Sequence, residues 1–318
     1  MKKPISILIN RSEITAGTRG ASLGPDAIRT AARSKKSRFF NEFNVVEIND
    51  QNQALDAPTT FLNARYVDAY THVFKEVSSA VKAEIASGNF PFVLAGDHGS
   101  GAATIAGIKK AFPTKRLGVI WIDAHGDLHT PYTTPSGNMH GMPLALALGE
   151  DNLECRVNQP LQQEVDYWNA LKAEFDEQFI RPEDLVLIAL RDTESQEDAL
   201  INHLGITAFT VEEVRELGTA QLANQVLSEQ LKACDLIYVS FDVDSMDPQL
   251  TSFGTGTPVK NGLTPQEAKD LLMAFANDDR LCCLECVEVN PCLDNQMNRM
   301  AELAFDIIES TVKVISNN

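Results

Sequence analysis

Val119-Ile120-Trp121-Ile122-Asp123-Ala124-His125-Gly126-Asp127 passes in a single step from an unbroken apolar run to a cluster of carboxylate and imidazole side chains. A short apolar run of this kind, bounded by polar residues, fits a strand buried on both faces. The same pattern recurs at Phe92 to Ala95, Leu185 to Leu190, Leu236 to Phe241 and Leu281 to Val289, and Ile5 to Ile9 reads as a first buried strand. Between these runs lie helical patterns. Val67, Tyr70, Phe74, Val77 and Val81 share one helix face, with Gly88 as the stop. Thr264-Pro265-Gln266-Glu267 supplies an N-cap, a first-turn proline and a capping-box glutamate, and Thr210 with Glu213 repeats the box. Continuous strands alternating with helices predict an α/β fold, a mostly parallel sheet covered on both faces. In such a sheet ligands bind beyond the carboxyl ends of the strands.

Nothing in the composition divides the chain. Its 318 residues are 44% hydrophobic and 22% charged, without a linker or repeat, so a single domain over residues 1–318 is expected. The formal charge is -17, which disfavours nucleic acid and anionic lipid and suits a cationic small molecule. The apolar stretch after Met1-Lys2-Lys3 is too short for a signal peptide, and no run is long enough for a membrane helix. A cytoplasmic protein is expected. Six cysteines occur, four of them in the segment Cys282, Cys283, Cys286 and Cys292. Adjacent Cys282 and Cys283 are expected on opposite faces of a strand, and the group reads as small buried hydrophobes rather than a zinc site.

The ends of three runs carry the chemistry. Phe92 to Ala95 leads into Gly96-Asp97-His98, Val119 to Ile122 into Asp123, His125 and Asp127, and Tyr238 to Phe241 into Asp242-Val243-Asp244. Two histidines and four carboxylates are thereby delivered to one edge of the sheet. Carboxylates crowded beside a dry core repel one another and require a cation. The set lacks thiolate and is rich in oxygen, which suits manganese over structural zinc. Four negative charges exceed what one divalent ion balances, so two bridged ions are expected, a pair that activates water at neutral pH.

Gly-Asp-His, Asp-Ala-His-Gly-Asp and Ser-Phe-Asp-Val-Asp-Ser-Met-Asp-Pro together resemble the three metal motifs of the ureohydrolases (arginase, agmatinase, formimidoylglutamase), in order. The resemblance extends from Gly20–Arg29 to Glu288-Val289-Asn290-Pro291. It implies one domain of three layers, with about eight strands flanked by helices, and two Mn²⁺ ions per subunit. By resemblance, His98, Asp123, Asp127 and Asp242 hold one ion, and Asp123, His125, Asp242 and Asp244 the other. It further implies that Asp127 passes a proton to the leaving amine, that His140 shuttles protons, and that Glu288 pairs with the guanidinium while Thr257 lines the pocket. A homo-oligomer, trimer or hexamer, is also implied.

The stretch Thr133-Thr134-Pro135-Ser136-Gly137-Asn138-Met139-His140-Gly141 is most similar to arginases, where the Ser and Asn hold the substrate's α-carboxylate. The implied activity is cleavage of L-arginine to L-ornithine and urea. Two residues depart from that pattern: His129 stands where arginases place Asn, and Arg191-Asp192-Thr193-Glu194 has Glu194 in place of Asp. His129, Asp192 and Glu194 are candidate substrate contacts, and His129 and Glu194 are those at which a related amidine could be preferred. Formimidoylglutamase, agmatinase or guanidino-acid hydrolase activity is the first alternative, and a non-catalytic relative the second. A two-metal phosphatase is disfavoured, because no Arg or Lys cluster accompanies these motifs.

Overall fold

The computed structural model of the protein describes residues 4–317, so the Met1-Lys2-Lys3 segment lies outside it. Eight strands form one sheet: β1 (Ile5–Asn10), β2 (Asn44–Ile48), β3 (Phe90–Ala95), β4 (Leu117–Ile122), β5 (Leu185–Ile188), β6 (Thr207–Phe209), β7 (Leu236–Asp242) and β8 (Leu281–Val287). Their spatial order is β2-β1-β3-β8-β7-β4-β5-β6. Every neighbouring pair is parallel, so all carboxyl ends point the same way. Every residue of β1, β3, β4, β5 and β8 is buried, which is why these strands read as continuous apolar runs.

Each sheet face is covered by its own helices, in three layers. On one face Gly24–Ser34, Pro265–Ala276 and Arg299–Asn317 pack over Ile7, Phe92, Ile120 and Val239. On the other, Val67–Ala86, Ser100–Ala111 and Gln162–Ala173 pack over Leu8, Val93, Trp121 and Tyr238. Val67, Tyr70, Phe74, Val77 and Val81 are all buried, as their spacing predicts, and each such side chain stabilises by about 1.5–3 kcal/mol relative to exposure. Their helix ends at Ala86, and Gly88 then takes a left-handed φ of 82°. Both capping boxes form: Thr264 and Thr210 accept from Glu267 N and Glu213 N at 3.1 and 3.2 Å.

The differences from expectation have local causes. The fifth and eighth strands end two residues early, because Ala189 and Glu288 turn into the left-handed region at φ 73° and 67°. β2 is a half-exposed edge strand and β6 has only three residues, so neither carries a strong periodic signal. Cys282 and Cys283 do not divide between the faces. Ile237 pairs with Leu281 but Tyr238 with Cys283, and this bulge sends both cysteines into the same hydrophobic cluster. Among the described residues no helix is long and apolar enough to cross a membrane.

Candidate metal centre and substrate cavity

β3, β8, β7 and β4 are adjacent at the middle of the sheet, so the loops leaving their carboxyl ends converge. His98 Nδ1 lies 2.9 Å from Asp123 Oδ2, 3.2 Å from Asp127 Oδ2 and 3.2 Å from Asp242 Oδ2. His125 Nδ1 lies 3.3 Å from Asp123 Oδ1 and 3.1 Å from Asp244 Oδ2. Asp123 thus turns one oxygen toward each imidazole. Asp244 N donates to Asp242 Oδ1 at 2.7 Å, so the Asp-x-Asp turn fixes both carboxylates. All six residues expected as ligands come together.

His98 Nδ1 and Asp127 Oδ2 stand close, yet both are buried without a well-directed hydrogen bond. Atoms that approach without pointing at each other share a target. Burial opposes charge here, yet the Asp123, Asp127 and Asp242 carboxylates still hold the His98 imidazolium well above its usual range. His125 behaves likewise, with Asp244 and Asp123 outweighing burial. Burial lifts Asp127 to about 6, and the Asp123 charge adds to it. The cluster therefore demands positive charge, which divalent ions can supply in place of protons. Two groups meet the spacing of metal ligands there: His98 with Asp123 and Asp127, and Asp123 with His125 and Asp244. Among the described residues no such group contains a cysteine.

The backbone is strained at the same place. Asp127 and Glu288 have φ of 52° and 67°, a region that costs a non-glycine residue about 1–3 kcal/mol and clusters at functional sites. Glu288 is buried. Its Oε1 accepts from His98 N at 2.9 Å and lies 3.2 Å from His140 Nδ1.

His129, Ser136, Asn138, His140, Glu194 and Thr257 line one cavity with the six clustered residues. Thr257 Oγ1 donates to Asp244 Oδ2 at 3.1 Å. Gly137 permits the Ser136–Asn138 turn: its φ is 76°, and a Cβ there would sit 1.9 Å from Leu62 O. Asp192 is brought to His125 instead of the cavity wall, its carboxylate 3.7 Å from Nε2 and largely exposed.

Glu197 is the lining residue that sequence reading missed. It is buried, accepts from Leu128 N at 3.0 Å, and forms a capping box with Glu194. The spacing Glu194-Ser195-Gln196-Glu197 was visible, but a glutamate at the N-cap does not match the usual Ser/Thr signal. Burial raises the Glu197 carboxyl well above its ordinary range, although Leu128 N opposes this.

The arginase family profile matches residues 5–313. The chain is 36% identical over 314 residues to the arginase of Brevibacillus brevis, covering 98% of each chain. Its fold superposes on the native arginase structure from Bacillus caldovelox with a TM-score of 0.82 at 32% identity, covering 98% of both chains. The formimidoylglutamase structure from Bacillus subtilis is similar in fold alone, with a TM-score of 0.75 at 19% identity over 99% of this chain and 88% of that one.

Proposed function

From the premise that this chain belongs to the arginase family, hydrolases of carbon–nitrogen bonds other than peptide bonds, we propose that it cleaves L-arginine to L-ornithine and urea with two Mn²⁺ ions per subunit. One observation carries the substrate: Ser136 and Asn138, the pair suited to an α-carboxylate, line the same cavity as the metal-ligand cluster.

His98, Asp123, Asp127 and Asp242 would hold one ion, and Asp123, His125, Asp242 and Asp244 the other. When bound, such a pair lowers the pKa of water and supplies hydroxide at neutral pH. Glu288 pairs with the guanidinium nitrogens and fixes the plane of the carbon to be attacked. His140, 3.2 Å from Glu288, moves protons between the reacting group and the outside. Asp127 takes the proton that the attacking water gives up and hands it to the departing amine. At the other end Ser136, Asn138 and His129 take the α-carboxylate, and Glu194, backed by Glu197, takes the α-ammonium. Asp192 serves the substrate indirectly in this reading, by orienting the His125 ring. The acidic surface favours a cationic substrate. The protein is read as a cytoplasmic homo-oligomer, a trimer or hexamer, which sedimentation would test.

The deciding experiment is a substrate panel with Mn²⁺-loaded protein. Faster urea release from L-arginine than from agmatine or 4-guanidinobutyrate is expected. Formamide or ammonia from formimidoylglutamate, with no urea from arginine, would replace this substrate with the related one.

A further inference from the structure

Beneath His98, on the side away from the clustered carboxylates, the sheet interior contains a carboxyl group that the reaction does not use. Glu285 is completely buried on β8. It pairs across the sheet with Ser240 of β7, and Tyr238 shares a face with Ser240 two residues earlier. The Tyr238 hydroxyl donates to Glu285 Oε2. His98 Nε2 lies 2.8 Å from Ser240 Oγ, and the His98 ring stacks on Trp121 at 3.9 Å. The Ser240 hydroxyl also bears on the Tyr238 oxygen, favouring negative charge there. The Ser100 and Thr104 hydroxyls are beside Glu285.

The contacts form a chain. Tyr238 donates to Glu285, its oxygen is open to the Ser240 hydroxyl beside it, and Ser240 Oγ accepts from a hydrogen on His98 Nε2. With Nε2–H held by Ser240, the ring is turned so that Nδ1 faces Asp123, Asp127 and Asp242. An ion that replaces the Nδ1 proton would then meet a ring already aimed at it.

The geometry assigns Glu285 and Tyr238 as positioning residues for the metal centre: through Ser240 they fix the orientation of the His98 ring. This rests on the metal-binding reading above, and goes beyond it to two side chains that touch neither ion nor substrate.

The test is Mn²⁺ titration of the full chain by calorimetry after chelation, with wild type, Tyr238→Phe and Glu285→Gln compared. Tyr238→Phe keeps the ring and its packing and removes only the link. Wild type should bind two ions. In each variant one of them, the ion served by His98, should weaken by about 10–100-fold while the other stays within a fewfold. Histidine ¹H–¹⁵N spectra of metal-free wild type should show one slowly exchanging Nε2–H held by Ser240, and that signal should broaden or vanish in Tyr238→Phe. Unchanged affinities and an unchanged Nε2–H signal in Tyr238→Phe would overturn the assignment, as would equal loss of both ions together with a collapsed thermal transition. If Glu285→Gln does not fold, Tyr238→Phe alone decides. A wild type that binds no Mn²⁺ would instead overturn the metal reading itself.

Discussion

The imidazole of His129 meets the carboxylate of Glu194 at 3.0 Å, Nε2 to Oε2. These are the two positions at which the sequence resemblance to arginases implies a different residue, and they meet as a contact. The Glu194 side chain reaches the His129 ring, so the two residues make one wall of the cavity.

Glu194→Gln should therefore act on substrate binding more than on chemistry. A hydrogen bond to a charged group contributes about 1.5–3 kcal/mol, so KM for L-arginine should rise roughly 10- to 100-fold while kcat changes by less than about threefold. Steady-state kinetics with arginine checks this. An unchanged KM would remove Glu194 from the ammonium contact.

Metal removal should cost both activity and stability. Chelation is expected to abolish turnover, and added Mn²⁺ to restore it. Because ions bind the folded cluster and not the unfolded chain, a hundredfold excess over Kd adds about 2.7 kcal/mol per site. Calorimetric melting with and without Mn²⁺ measures this, and a thermal midpoint indifferent to the ion would argue against the site.

Gly101→Ala should reach the metal centre through an aromatic ring. A Cβ at Gly101 would stand 2.4 Å from the edge of Trp121, the ring on which His98 stacks. Overpacking of this kind costs about 1–3 kcal/mol. The expected result is a lower melting temperature together with weaker Mn²⁺ binding, measured on the same preparation.

Acid sensitivity should have a component remote from the site. Arg280 donates to both Asp278 oxygens, at 2.9 and 2.8 Å, and to the carbonyls of Leu231 and Leu227. The Arg280 hydrogen bonds hold the Asp278 carboxyl below its usual range, against burial. A carboxylate whose folded pKa is depressed adds stability above its unfolded pKa, and that stability is lost as pH falls through the folded value. Asp278→Asn should lose about 1 kcal/mol at pH 7, a modest figure because Arg280 is 26% exposed. The difference from wild type should shrink below pH 4. Urea denaturation at the two pH values checks both statements.

The parts of the fold legible in the sequence are those governed by burial. Central strands such as β4 are buried on both faces, so no polar residue interrupts their run. The cluster of candidate metal ligands was legible because its members follow closely on such runs. Edge strand β2 was not, since its residues are exposed or half-buried up to Ile48 and show no regular alternation. The cysteine bulge at Cys282 depends on pairing with β7, a relation between distant segments that no local pattern records. Glu197 and Glu285 escaped for opposite reasons. Glu197 resembles an ordinary first-turn helix residue, and Glu285 a polar interruption in a strand. Only the neighbours folded against them give either a purpose.

The strand order also governs when the centre can come into being. β1, β2 and β3 form one half of the sheet and β4, β5 and β6 the other, while β7 and β8 lie between them. On the ribosome the first six strands emerge as two fragments with no edge in common, and β8, ending at Val287, is the last strand made. Parallel pairing between such distant segments is slow to form. His98 therefore waits for Ser240 and Asp242, and a nascent chain cannot assemble the full ligand set until its keystone strands arrive. If the cluster takes up Mn²⁺ as proposed, ion uptake would be a timer for the end of folding, readable as the moment when a refolding chain first retains Mn²⁺.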